Sequence, residues 1–98
     1  MLYIKRGVEA MLVVTISDES MASHFILELI QDANKTNRIV YNVQPVKFKR
    51  IDKIVMTPVE TNLIAGEYTY RIYEAVDGND FDVEGKRLIE VGKLKVNQ

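Results

Sequence analysis

Residues 62–75, NLIAGEYTYRIYEA, constrain the fold more than any other stretch of this sequence. Tyr68, Tyr70 and Ile72 alternate with Glu67, Thr69, Arg71 and Tyr73. A period of two places large side chains on one face and polar ones on the other only in an extended chain, because successive strand side chains point to opposite sides. The segment therefore reads as a half-buried strand with Tyr68, Tyr70 and Ile72 inward. Leu63 and Gly66, just before it, suggest a chain crossing from one sheet to another, the glycine supplying a backbone angle that a side chain would obstruct.

The remaining blocks follow the same grammar. LYI runs into a turn at Arg6-Gly7, and EAMLVVTIS sets Leu12, Val14 and Ile16 on one face against Met11, Val13 and Thr15 on the other, so that the two read as a strand pair. HFILELI is followed by QDANKTN, whose Asp and Asn residues favour a turn, and RIVYNV resumes the alternation with Ile39, Tyr41 and Val43. Pro45 precedes VKFKRIDKIVMT, and Pro58, which cannot donate to a ladder, marks an edge or an end. A helix competes over 17–33, where acidic and hydroxyl residues that could cap it lead into Met, Ala, Leu, Glu and Gln. The neighbouring strands decide for β. Phe25, Leu27 and Leu29 then face the core, and Ile26 and Ile30 lie beside Glu28 on the opposite face, where they need a cover.

Short β-branched segments separated by turns predict an all-β chain, a single antiparallel Ig-like β-sandwich of about seven strands spanning 1–98. A tyrosine just inside a strand that follows a crossing is reminiscent of the tyrosine corner of such sandwiches, whose hydroxyl bonds back to the upstream connection. The plainer reading, a tyrosine serving as a large strand residue, gives the same fold.

Composition removes several function classes. Thirteen basic and fourteen acidic residues, for a net charge of -1, give no general electrostatic attraction to nucleic acid or to an anionic membrane. With no cysteine, disulfides and thiolate metal sites are excluded. The apolar runs are far shorter than a membrane span, and the first dozen residues do not read as a signal peptide.

Reactive groups are scarce. His24, the single histidine, has no cysteine or second histidine with which to build a zinc or nucleophile–base site, and reads as a solvent-facing residue at a strand end. DGNDFDVEGK carries Asp80, Asp82 and Glu84 at alternate positions before Gly85, like the first half of a calcium loop. The position for the closing glutamate is Val91, so a solvated hairpin loop is the better reading. KFKR with Lys53 forms a small basic patch with a single aromatic, which suits a solvated strand face better than a single-stranded nucleic-acid groove. No catalytic residue, cofactor site or metal site is expected.

GEYTYRIYEA, followed some fifteen residues later by LIEVGKLKV, resembles a family of small β-sandwich proteins encoded in tailed-phage genomes, including crAss-like phages of gut bacteria. The resemblance begins at MLVVTISDES, covers most of the chain and is strongest over 66–74 and 88–94. Between Met21 and His24 the chain lacks the asparagine-proline turn expected of that family. The resemblance implies a non-enzymatic structural component of the virion, foremost an auxiliary or decoration protein on the major capsid protein lattice. A tail, neck or baseplate module, or a surface domain recognising a host glycan or protein, is the alternative; among loop aromatics only Phe81 and Tyr3 suit recognition. The expected partners are other virion proteins and the chain itself, with no nucleic acid, membrane or small-molecule substrate, and the expected location is the virion, assembled in the host cytoplasm. Apolar residues expected outside the core, Met11, Val13, Ile26, Ile30, Val40 and Tyr73, are the candidates for the partner interface.

Overall fold

The segment that opens the sequence argument is the centre of the structure. In the computed structural model Gly66–Glu74 is a nine-residue strand flanked on both sides by antiparallel partners, Phe25–Gln31 and Leu88–Asn97. The structure describes residues 2–6, 12–15, 22–44, 46–47, 53–56 and 63–98, of which 12–15, 46–47 and 53–56 are described by their backbone alone. In chain order the strands are β1 (Leu2–Lys5), β2 (Leu12–Thr15), β3 (Phe25–Gln31), β4 (Arg38–Val43), β5 (Val46–Lys47), β6 (Lys53–Met56), β7 (Gly66–Glu74) and β8 (Leu88–Asn97). One sheet has the order β1-β8-β7-β3-β4 and a second β2-β6-β5. The chain is all-β, with no helix among the described residues. The helix that competes over 17–33 is, from Phe25 to Gln31, a strand.

Register fixes which side chains meet. Leu27 stands between Tyr41 and Ile72, Leu29 between Ile39 and Tyr70, and Tyr68 opposite Leu94. Phe25, Leu27, Leu29, Tyr68, Tyr70 and Ile72 are all buried in one cluster, as the alternation predicts, and Leu63 joins them from the chain that leads into β7. Each fully buried side chain of this size contributes roughly 1.5–3 kcal/mol by leaving water.

Two glycines are fixed by geometry. Gly66 has φ near 143°, a left-handed value that a side chain rarely adopts, where β7 begins. Gly92 pairs with Tyr70 across β7 and β8, and the Tyr70 ring lies directly over it, so a Cβ there would run into the ring. The buried Tyr68 hydroxyl donates to the carbonyl of Ile64 at 2.7 Å and accepts from Asn37 Nδ2 at 3.2 Å. Burial raises the Tyr68 pKa above its ordinary value, so the phenol stays a donor.

Two expectations are corrected. β1 and β2 do not pair with each other: β1 runs parallel to β8, Leu2 opposite Leu94 and Ile4 opposite Val96, while β2 pairs antiparallel with β6. The physical reason lies on the core face, where Ile4 extends the buried row of Leu94 and Val96. The five-stranded sheet is consequently mixed rather than wholly antiparallel. Parallel neighbours need a long connection, and here most of the chain serves as that connection.

Candidate docking face

The face of the five-stranded sheet opposite the core carries the charged and polar groups. β3 contributes Ile26, Glu28 and Ile30, whose cross-strand partners are Asn42, Val40 and Arg38 on β4 and Tyr73, Arg71 and Thr69 on β7. Glu28 is buried, 4% exposed, in the middle of this face. Arg38 Nε donates to its Oε2 at 2.7 Å, Arg71 lies 3.6 Å from Oε1, and the Tyr73 hydroxyl is 3.5 Å from the same oxygen. A carboxylate without water needs such partners, because an unpaired buried charge is strongly destabilising. Burial, reinforced by the charge of Glu28, raises the pKa of Tyr73 and keeps its hydroxyl protonated.

A second polar cluster lies nearer the β3–β4 turn. Thr69 Oγ1 donates to Asp32 Oδ1 at 2.7 Å, and Lys93 Nζ donates to Asp32 Oδ2 at 2.9 Å and to Thr69 Oγ1 at 2.8 Å. The hydrogen bonds from Lys93 and Thr69 hold the Asp32 carboxyl below its ordinary pKa. These three residues, with Ile30, Lys35 and Arg71, line an open hollow of about 420 Å³. The turn itself is shaped by Asn34, whose Oδ1 accepts from the Thr36 hydroxyl at 2.6 Å and from the Thr36 amide at 3.3 Å.

At the other end of the same face lies the β7–β8 loop. The Asn42 side chain donates to the carbonyls of Asp77 and Asp80, both at 2.7 Å, and so draws the loop over this face beside Ile26. The loop carboxylates are occupied locally: Asp77, Asp80 and Asp82 each accept a backbone amide two residues ahead, from Asn79, Asp82 and Glu84. Asp80 also accepts the Val76 amide at 2.9 Å and lies 3.3 Å from Lys86 Nζ. The two backbone amides lead in lowering the Asp80 pKa. The loop is thus hydrogen-bonded within itself, and among the described residues no group of three His, Cys, Asp or Glu is placed to hold a metal ion.

Of the interface candidates, Ile26 is corrected. It lies on the face opposite the core, as alternation requires, but it is 0% exposed, enclosed by its own chain and not left for a partner. Its neighbours Asn42 and Tyr73 flank it, and the loop that Asn42 holds closes over this end of the sheet. Ile30, Val40 and Tyr73 are half-buried on the same face. The Val13 backbone pairs with Val55 in the three-stranded sheet, and its side chain, like all of Met11, lies outside the described residues. His24 is half-buried just before β3, its Nδ1 3.2 Å from the Ser23 hydroxyl and its carbonyl accepting the Ala75 amide at 3.0 Å. Phe81 is exposed in the β7–β8 loop, and Tyr3 is exposed but lies in strand β1 rather than in a loop. In the KFKR patch Lys47 lies in β5, and residues 48–50 fall outside the described residues.

Sequence reading missed the ion cluster at Glu28. Its signal is present in the pattern: Glu28, Arg38 and Arg71 all fall at outward positions of strands that become neighbours, and opposite charges across strands stabilise a pair. Seeing it requires knowing that β3 lies between β4 and β7, which alternation alone does not state. Comparison with family models, with curated proteins and with solved structures finds no match to the chain. Among the described residues no helix is long and apolar enough to cross a membrane.

Proposed function

We propose that this chain is a non-enzymatic structural component of a tailed-phage virion, an auxiliary protein that decorates the capsid lattice, built as an Ig-like sandwich. The observation that carries the reading is the outward face of the five-stranded sheet. Its carboxylates and cations are bonded to one another around the half-buried Ile30, Val40 and Tyr73, an arrangement suited to holding a surface rather than to moving a proton or attacking a bond. The Tyr68–Ile64 hydrogen bond supports the Ig-like form, because it ties the strand to its upstream connection as a tyrosine corner does. The resemblance to phage β-sandwich proteins is strongest over 66–74 and 88–94, which here are β7 and most of β8, paired at the centre of the sheet.

Expression of a tagged copy during infection, followed by gradient purification of particles, tests the proposal. The tag is expected to sediment with filled capsids at a fixed ratio to the major capsid protein. Tag that stays wholly in the soluble fraction overturns the virion role, and tag found only on detached tails moves the chain to the tail.

A further inference from the structure

We propose that the outward face of the five-stranded sheet pairs with the same face of a second copy of this chain, the acidic β7–β8 loop of each copy seated in the cationic hollow of the other. This goes beyond the virion reading and does not need the particle. The hollow and the loop lie on one face but at opposite ends of it. The hollow is bordered by Thr69 and Arg71 on β7, and the loop is held over Asn42, level with Tyr73. One end is therefore recessed and the other raised.

Charge follows the same division. Around the hollow Lys35, Arg71 and Lys93 stand against the carboxylates of Asp32, which Lys93 and Thr69 already engage, and of Glu28, which Arg71 shares with Arg38. On the loop Asp77, Asp82 and Glu84 are exposed, and Asp80 is held by Lys86. A chain with a net charge of only -1 thus gathers excess cations at one end of a sheet face and excess carboxylates at the other. A two-fold axis in the plane of contact, running across the strands at the level of Arg71, exchanges the two ends. Each loop then meets a hollow, and the contact closes on itself as an isologous dimer. A face of this kind offers on the order of 500 Å² per copy, judged from strands about 4.8 Å apart and rising about 3.3 Å per residue, which is the small end of specific interfaces. The dimer is accordingly weak and sensitive to salt, with its charges setting register.

Sedimentation equilibrium of the full chain at about 50 mM and about 500 mM sodium chloride tests this, since the higher salt shortens the screening length several-fold. The dimer is expected at low salt, with a dissociation constant about tenfold weaker at high salt. Lys35→Glu or Glu84→Lys alone should weaken it about fivefold to tenfold, and the two together should restore it to within about twofold. Both positions are exposed, and equal thermal melts establish that the variants fold; should one melt early, Lys35→Gln or Glu84→Gln takes its place in the low-salt comparison. A chain that stays monomeric at low salt to millimolar concentration overturns the proposal, as does a double variant no better than either single one. A monomer whose hollow residues shift in NMR spectra only when an acidic peptide is added assigns the hollow to a different partner.

Discussion

Strand β3 is buried on both faces, and the two burials are built differently. Toward the core, Phe25, Leu27 and Leu29 meet side chains of their own kind, and removal of apolar surface from water is sufficient to explain their place. On the other face Ile26 and Glu28 are equally hidden, but Ile26 lies beside Asn42, which holds the β7–β8 loop, and Glu28 lies among guanidinium groups reaching in from β4 and β7. The first kind of burial tolerates hydrophobic exchange of similar volume. The second depends on individual polar contacts, each of which leaves something unsatisfied when broken.

The sharpest way to break this comparison is Ile26→Lys. If Ile26 belongs to the interior, an ammonium forced there without a partner should remove about 3–5 kcal/mol or abolish folding. Ile30→Lys on the same face, at a half-buried position beside the open hollow, should lose less than about 1 kcal/mol. Urea unfolding midpoints decide the matter: equal midpoints for the two variants would return Ile26 to the surface.

A middle-sized effect belongs to Glu28. Replacing Arg38 and Arg71 together by Ala leaves its carboxylate buried without cations. Because both arginines are themselves near 40% exposed, the expected loss is about 1–3 kcal/mol rather than the larger figure for a fully buried pair. Glu28→Leu, which removes the charge and keeps the volume, should be nearly neutral in the same unfolding measurement. A loss as large as that of the double arginine variant would mean that the carboxylate does more than satisfy its neighbours.

The smallest effect concerns pH. Asp32 titrates below its ordinary value of 3.8 because Lys93 and Thr69 hydrogen-bond its charged form. A carboxyl with a lowered folded pKa contributes stability above its unfolded value and loses it as pH falls through the folded value. The Asp32–Lys93 contribution should therefore be constant near neutrality and fade only in acid below about pH 4. Its exposure to solvent keeps the contribution near the limit of detection. Carboxyl carbon NMR titration checks the direction; a midpoint above 3.8 would mean that the cluster does not persist in solution.

The sequence made the core face of β7 and β3 legible, because a period of two survives any arrangement of neighbours. Tyr68 could be matched with its upstream connection since both partners lie within a few residues. What alternation could not supply is adjacency. The parallel edge of β1 and the meeting of Glu28 with two arginines depend on which strands lie side by side, and that is settled by contacts between distant segments. Ile26 was assigned to the right face but expected to be exposed: a strand pattern reports the side to which a residue points, while its burial between Asn42 and Tyr73 depends on which strands become its neighbours.

The parallel pairing of β1 with β8 has a kinetic consequence. Leu2 and Leu94 are neighbours in the sheet, so β1 waits for β8, which is made some ninety residues later, before this edge can form. Closing so long a loop carries a large entropic term, and contacts of high sequence separation slow folding. Until β8 emerges, both the apolar side of β1 and the β8-facing edge of β7 remain open to other chains. This interval is when a newly made molecule is most exposed to wrong pairing.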